Sequence, residues 1–236
     1  VCGDADTRSL WVDALCQGSN FLEDGEPGPI PESSYVLAWL AAAADLGEPR
    51  IVMVGLGAGS GAVLLAAHGY RCTVLECDPV VIDVARRRFP LLERYERSGR
   101  IDLISATAPE GMDRPCDLLL LDAFSDSARA RYDDDFLTAI PDGVARIVIN
   151  LIDGADRRDA LALRERLRQR GWPVPQSLVT FHAEDDVVTP TGNALLIAGC
   201  PLDPSWRTLP PFLDRDDRRA EDTRTSWAAI QEIAFP

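Results

Sequence analysis

Residues 50–61 read RIVMVGLGAGSG, and fifteen positions past Gly61 stands Glu76, in TVLECDP. A short apolar run ends in Gly55, Gly57, Gly59 and Gly61. A helix-like segment follows, then a second apolar run closed by an acid. In physical terms this is a strand, a turn with no Cβ in the way, and a helix N-terminus aimed at a ligand. A carboxylate at the end of the next strand can accept both hydroxyls of a ribose. A nucleoside-bearing cofactor is therefore expected. Gly57-x-Gly59-x-x-Ala62 satisfies the dinucleotide fingerprint. Gly55-x-Gly57-x-Gly59 equally fits the glycine loop of S-adenosylmethionine enzymes, so these residues alone leave both cofactors open.

A second chemistry-bearing segment is Asp122-Ala-Phe-Ser-Asp126, which follows the apolar run DLLLL. A carboxylate at that strand end can orient an amine or take its proton, so Asp122 and Asp126 are candidate catalytic acids. The bland reading of Asp122 is a cap on the following helix. Asp133, Asp134 and Asp135 read as a solvated run.

These residues need elements to hold them. Strands are expected at 51–54, 71–76, 101–105, 117–122 and 145–151, with two late strands near 174–181 and 194–198. Helices are expected at 33–46, 60–68, from Pro79 until Pro90 breaks it, and at 155–170. The leucine run fits a parallel strand buried on both faces. Residues 9–21 suggest a hairpin and 24–31, DGEPGPIP, a loop. The predicted fold is α/β: a doubly wound, mostly parallel, seven-stranded Rossmann-like sheet with a short N-terminal β-hairpin extension. The expected division is 1–48 for hairpin and helix, 49–200 for the Rossmann-like domain, and 201–236 for a loosely packed tail that covers one edge. In such sheets ligands bind at the strands' carboxyl ends. Those ends carry 55–61, Glu76 with Cys77, 105–108 with Thr107, 122–126 and 150–153.

Composition narrows the chemistry. The 236 residues carry a formal net charge of -14 and a pI near 4.5, so the sequence predicts no nucleic-acid partner. No run approaches the roughly 18 apolar residues of a membrane helix, so no membrane partner is expected. No secretory leader is evident, and six scattered cysteines suggest reduced thiols and a cytoplasmic setting. All 24 basic residues are arginine. The absence of lysine excludes a lysine Schiff base and a P-loop. Two distant histidines and no CxxC argue against a metal site.

LWVDALCQGS, PESSYVLAWL, IVMVGLGAGSG, LECDP, DLLLLDAFSD, YDDDF, VINLIDG and GNALLIAG occur in that order. Over residues 9–199 the chain resembles the spermidine synthase family and its bacterial spermidine-synthase-like relatives, a branch of the class I S-adenosylmethionine-dependent transferases. The resemblance implies that Glu76 holds the ribose and that Gly55, Gly57 and Gly59 pack on the sulfonium side chain. It implies that Gln17 and Tyr35 contact nucleoside and substrate. It also marks departures. Ala58 stands where aminopropyl transferases carry an acid, and Thr107 where an acid reads the adenine. Ser125 occupies the second acid position of strand four, with Asp126 one step late, and Val36-Leu37 replaces a His-Glu pair. Each lost charge-assisted hydrogen bond costs about 1.5–3 kcal/mol, which disfavours a cationic polyamine.

The resulting expectation is a methyltransferase using S-adenosylmethionine on a small-molecule or peptide acceptor. The site would comprise Asp122, Asp126 and Tyr35 as catalytic groups, with Gln17, Gly55, Gly57, Gly59, Glu76, Cys77, Thr107 and Asp122 around the cofactor. The alternatives are an aminopropyltransferase using decarboxylated S-adenosylmethionine and a nucleoside-binding protein without turnover. A homodimer is left open.

Overall fold

The four leucines Leu118–Leu121 lie at the centre of the main sheet, each 0% exposed. The computed structural model describes residues 1–3, 7–12, 15–23, 26–31, 35–123, 132–154, 158–174, 176–181, 191–203 and 231–232. Four strands come first: β1 (Cys2–Gly3), β2 (Thr7–Val12), β3 (Leu15–Glu23) and β4 (Glu26–Pro31). Then follow α1 (Tyr35–Asp45), β5 (Ile51–Val54), α2 (Ser60–Ala67), β6 (Cys72–Glu76), α3 (Pro79–Arg88), α4 (Pro90–Arg97) and β7 (Ile101–Ser105). The chain continues through α5 (Ala108–Gly111), β8 (Leu118–Leu121), α6 (Asp134–Thr138), β9 (Arg146–Gly154) and α7 (Arg158–Gln169). It closes with β10 (Gln176–Phe181), β11 (Thr191–Gly199) and β12 (Gln231–Glu232).

The main sheet runs β12-β10-β11-β9-β8-β5-β6-β7. The pairings from β9 to β7 are parallel, and those of β11, β10 and β12 are antiparallel. The mostly parallel α/β fold is as expected, with eight strands in place of seven. The eighth is β12, two residues of the tail on the outer edge of β10. Because side chains alternate along a strand, β5 and β8 divide their burial between two cores. Ile51, Met53, Leu118 and Leu120 pack with α1 and α2 on one face. Val52, Val54, Leu119 and Leu121 pack with α7 and the residues around α6 on the other. The chain goes from β5 outward to β6 and β7, then returns to β8 on the other side of β5. That reversal opens a crevice at the carboxyl end of β5, where ligands bind in such sheets.

Two local expectations need correction. Residues 26–31 form a strand rather than part of a loop, giving a four-stranded N-terminal sheet, β1-β2-β3-β4, in place of a hairpin. Pro27, Pro29 and Pro31 alternate, so their missing N–H groups fall along one side, and β4 lies at the sheet edge where no partner needs them. Pro90 ends α3 but also starts α4. Phe89 before it has left the helical region (φ −127, ψ 78), as a residue preceding proline is pushed to do, and Pro90 takes the first helical turn.

Arg146 ties the fold together at the opposite end of the sheet. It is 1% exposed, and its guanidinium donates to the carbonyls of Ala42 (2.8 Å), Cys200 (2.9 Å) and Pro201 and to the carboxylate of Asp45. One planar fork thus satisfies the last turn of α1 and the chain leaving β11. Cys2, Cys72, Cys77, Cys116 and Cys200 carry free thiols. Among the described residues no helix is long and apolar enough to cross a membrane.

Candidate active site

The glycine turn begins where β5 meets the end of β8. A Cβ on Gly55 would stand 2.3 Å from the Asp122 carbonyl oxygen, and the residue has φ 96°. Only glycine lets the two strand ends approach this closely. Gly57 and Gly59 also sit at positive φ, and the Gly59 amide donates to the Leu56 carbonyl at 2.8 Å. Gly59 then caps α2, whose first-turn amides lack intrahelical partners.

Glu76 closes β6 beside this turn. Its Oε2 accepts from the Leu56 amide at 3.1 Å and its Oε1 from the Asp78 amide at 2.9 Å. Asp78 is itself fixed, because its side chain caps α3 through the Val80 amide at 2.7 Å. Each Glu76 oxygen therefore holds one backbone donor and keeps acceptor capacity for one more. Two adjacent hydroxyls, as on a ribose, match that remaining capacity.

Across the turn, Asp122 directly follows β8. Its Oδ2 accepts from the Tyr35 hydroxyl at 3.2 Å and its Oδ1 from Asn150 Nδ2 at 2.7 Å. Tyr35 opens α1, and its ring packs edge-on against Trp39 with centroids 5.5 Å apart. Trp39 in turn lies on Gly61, where a Cβ would stand 2.2 Å from the indole. Asp122 keeps part of its surface accessible, yet burial pushes its carboxyl up to about 6, opposed by the hydrogen bonds from Asn150 and Tyr35. Behind the pair, the buried Tyr132 hydroxyl donates to the Asn150 carbonyl at 3.2 Å and accepts from the Ala123 amide at 3.4 Å. Burial, with the Asp122 charge, holds the Tyr132 phenol well above its ordinary range, so it stays protonated.

The N-terminal sheet covers the glycine turn. Gly18 on β3 lies against Ala58 and Ser60. The Ser60 hydroxyl donates to Asn20 Oδ1 at 2.6 Å within buried surroundings. Ala58 is 1% exposed and clusters with Leu10 and Phe89. Its side chain faces an apolar contact with the N-terminal sheet.

The expected residues thus fall as follows. Gly55, Gly57, Gly59 and Glu76 converge on one crevice, and Tyr35 and Asp122 are in direct contact beside it. Cys77 is exposed, and burial together with the Glu76 carboxylate raises its thiol, which makes it a poor nucleophile. Thr107 follows β7, and its hydroxyl donates to Glu110 at 2.8 Å. Gln17 lies in β3 with its side chain outside the described set, and Asp126 lies outside the described residues. Asn150 and Tyr132 were not among the expected site residues. Asn150 had a signal: it is the one polar residue inside the apolar run IVINLI. Among the described residues no group of His, Cys, Asp or Glu is arranged to hold a metal ion.

No family model matches the chain, and no curated protein matches it in sequence. Solved structures do match in fold. A candidate RNA methyltransferase from Pyrococcus horikoshii aligns with TM-score 0.53 and 16% identity, covering 71% of this chain and 83% of its own. Precorrin 8w decarboxylase from Methanobacterium thermoautotrophicum gives 0.51 and 20%, covering 77% and 97%. A candidate transferase from Pyrococcus horikoshii gives 0.52 and 10%, covering 83% and 72%. The chain therefore shares the Rossmann-like α/β fold of these solved structures. The expectation that nucleic acid is excluded as a partner does not stand: a candidate RNA methyltransferase shares this fold, so the net charge of -14 is no ground for exclusion.

Proposed function

We propose that the chain is an S-adenosylmethionine-dependent methyltransferase of the spermidine-synthase-like branch. One observation carries the reading. Gly55 touches Asp122 while its neighbour Leu56 donates to Glu76, so the ribose-type acceptor and the candidate acid border one crevice. The residues fit the cofactor: Glu76 has acceptor capacity for a diol, and the glycine turn brings backbone rather than side chains to the crevice. When bound, S-adenosylmethionine supplies a methyl carbon made electrophilic by its sulfonium. Asp122 accepts a hydrogen bond from the acceptor's N–H or O–H, turning the lone pair of that atom toward the cofactor, and takes the proton as the nucleophile attacks. Tyr35 donates to the same carboxylate and is in direct contact with it beside the crevice.

Methyl transfer is favoured over aminopropyl transfer by Ala58. It packs on Leu10 and Phe89, so the turn offers no carboxylate there for an aminopropyl ammonium. The acceptor is read as a small molecule or peptide. Free thiols at five cysteines fit a reducing, cytoplasmic setting.

Incubating the protein separately with S-adenosylmethionine and its decarboxylated form, each with amines, peptides and RNA, tests the reading. Methylated product with S-adenosylhomocysteine, identified by mass spectrometry, is expected. Clean aminopropyl transfer to putrescine would overturn it, and methylation of RNA alone would overturn the acceptor class.

A further inference from the structure

Asn150 is 1% exposed in the middle of β9, one residue past the end of its parallel pairing with β8, within an otherwise apolar run. Buried amides ordinarily use both ends, yet here only one works: Nδ2 donates to Asp122, and Oδ1 has no partner among the described residues. A carboxylate only accepts, so the amide must turn its NH2 edge toward Asp122 and leave its oxygen unused. The backbone of Asn150 is separately anchored, because the Tyr132 hydroxyl donates to its carbonyl and accepts from Ala123, the residue after Asp122. Tyr132 thereby links the end of β8 to the middle of β9 and fixes the spacing of the Asn150–Asp122 pair.

We propose that Asn150 is the positioning residue of Asp122, presenting the NH2 edge of its carboxamide to the carboxylate while Tyr132 sets the spacing between them. This rests on the methyl-transfer reading for its catalytic meaning. Among the described residues, the groups facing the carboxylate are Tyr35 from α1, Asn150 from β9 and Tyr132 ahead of α6; Gly55 after β5 brings no side chain. With Asn150 donating, the Asp122 oxygens point in a fixed direction and the proton-accepting form is favoured over what burial alone would leave. When Asp122 takes a proton, its hydroxyl becomes a donor. The idle Asn150 oxygen is then the better neighbour, and the amide can turn to meet it. Asn150 thus adapts to both protonation states without movement of the backbone.

The test uses the full chain labelled with 13C at aspartate carboxyls and 15N at asparagine side chains, with no cofactor present. The Asn150 NH2 signals are expected to titrate with the same midpoint as the Asp122 carboxyl. Asn150→Leu should raise the Asp122 midpoint by about one to two pH units, the scale of one lost hydrogen bond to a charge. It should also lower kcat and move the acidic limb of its pH profile upward equally, leaving S-adenosylhomocysteine affinity unchanged. An Asp122 midpoint that stays put in folded Asn150→Leu overturns the proposal. If that variant fails to fold, Asn150 NH2 signals indifferent to Asp122 titration in the unsubstituted protein overturn it alone. Coupled titration without any methyl transfer would leave the pairing intact and sink only the functional reading.

Discussion

Gly18 of the N-terminal sheet lies directly on Ala58 of the glycine turn: a Cβ on Gly18 would stand 2.9 Å from the Ala58 Cβ and 3.2 Å from its amide nitrogen. Gly18 also has φ 146°, which disfavours any side chain there. The turn is therefore held from both sides, by β5 below and β3 above.

Gly18→Val should push β3 off the turn. The expected result is S-adenosylhomocysteine affinity lowered by about tenfold or more in calorimetry, with Gly18→Ala intermediate and circular dichroism unchanged. A tenfold loss corresponds to about 1.4 kcal/mol, modest for a Cβ forced within 3 Å of another. Ala58→Asp tests the same contact differently. An acid buried against Leu10 and Phe89 should destabilise the protein on the order of several kcal/mol rather than create aminopropyl transfer. A stable Ala58→Asp variant that uses decarboxylated S-adenosylmethionine would contradict this.

Glu76→Ala should weaken nucleoside binding by about 1.5–3 kcal/mol, the scale of hydrogen bonds to a charged group. Glu76→Gln should lose nearly as much. Its NH2 would face the amide of Leu56 or Asp78, setting donor against donor. Wild-type affinity in the glutamine variant would show that the carboxylate does not bind the diol.

The Asp122 carboxyl has a folded value of about 6 against an ordinary value of 3.8. The folded state therefore binds the proton more tightly. The associated stability is fully present below about 4 and is lost as pH rises through 6. The loss is on the order of 2–3 kcal/mol. Urea unfolding should show Asp122→Asn gaining on the unsubstituted protein between pH 4 and 7, with greatly reduced turnover. Parallel stability curves for the two proteins across that range would rule this out.

Arg146→Met should be among the most damaging substitutions outside the crevice. It strands the carbonyls of Ala42, Cys200 and Pro201 and removes the cation paired with Asp45, whose Oδ2 then keeps, among the described residues, only the Asp203 amide. A cost on the order of 3–5 kcal/mol is expected in denaturant unfolding. A loss below about 1 kcal/mol would mean that water replaces the guanidinium, as at exposed ion pairs.

Much of the main sheet was legible because its signals are local. Apolar runs, the glycines at 55–61 and Pro79 each mark an element boundary within a few residues. The early expectation paired Glu76 with the turn for the same reason, since strand-end rules depend on chain order. What escaped were the features fixed by distant partners. Three prolines at 27–31 read as a loop, because nothing local says that β3 will offer them an edge. Pro90 read as a stop, although a proline that ends one helix can begin another. Asn150 and Tyr132 lie in the segments VINLIDG and YDDDF, but their significance comes from β8 and β9 being neighbours, which only the folded sheet supplies.

The outermost pairing of the main sheet is two residues long. Gln231 and Glu232 pair with Val179 and Leu178 of β10, so the chain's own tail occupies part of the outer edge of β10. An open strand edge is a template for other chains, and proteins commonly guard such edges with short strands and charge. β12 is short and ends in a glutamate, which suits it to shield the edge without extending the sheet. Cleavage of the tail before Gln231 would remove the strand paired with Leu178 and Val179 and free their outward backbone groups, turning a self-limited sheet into one that can add strands from its neighbours.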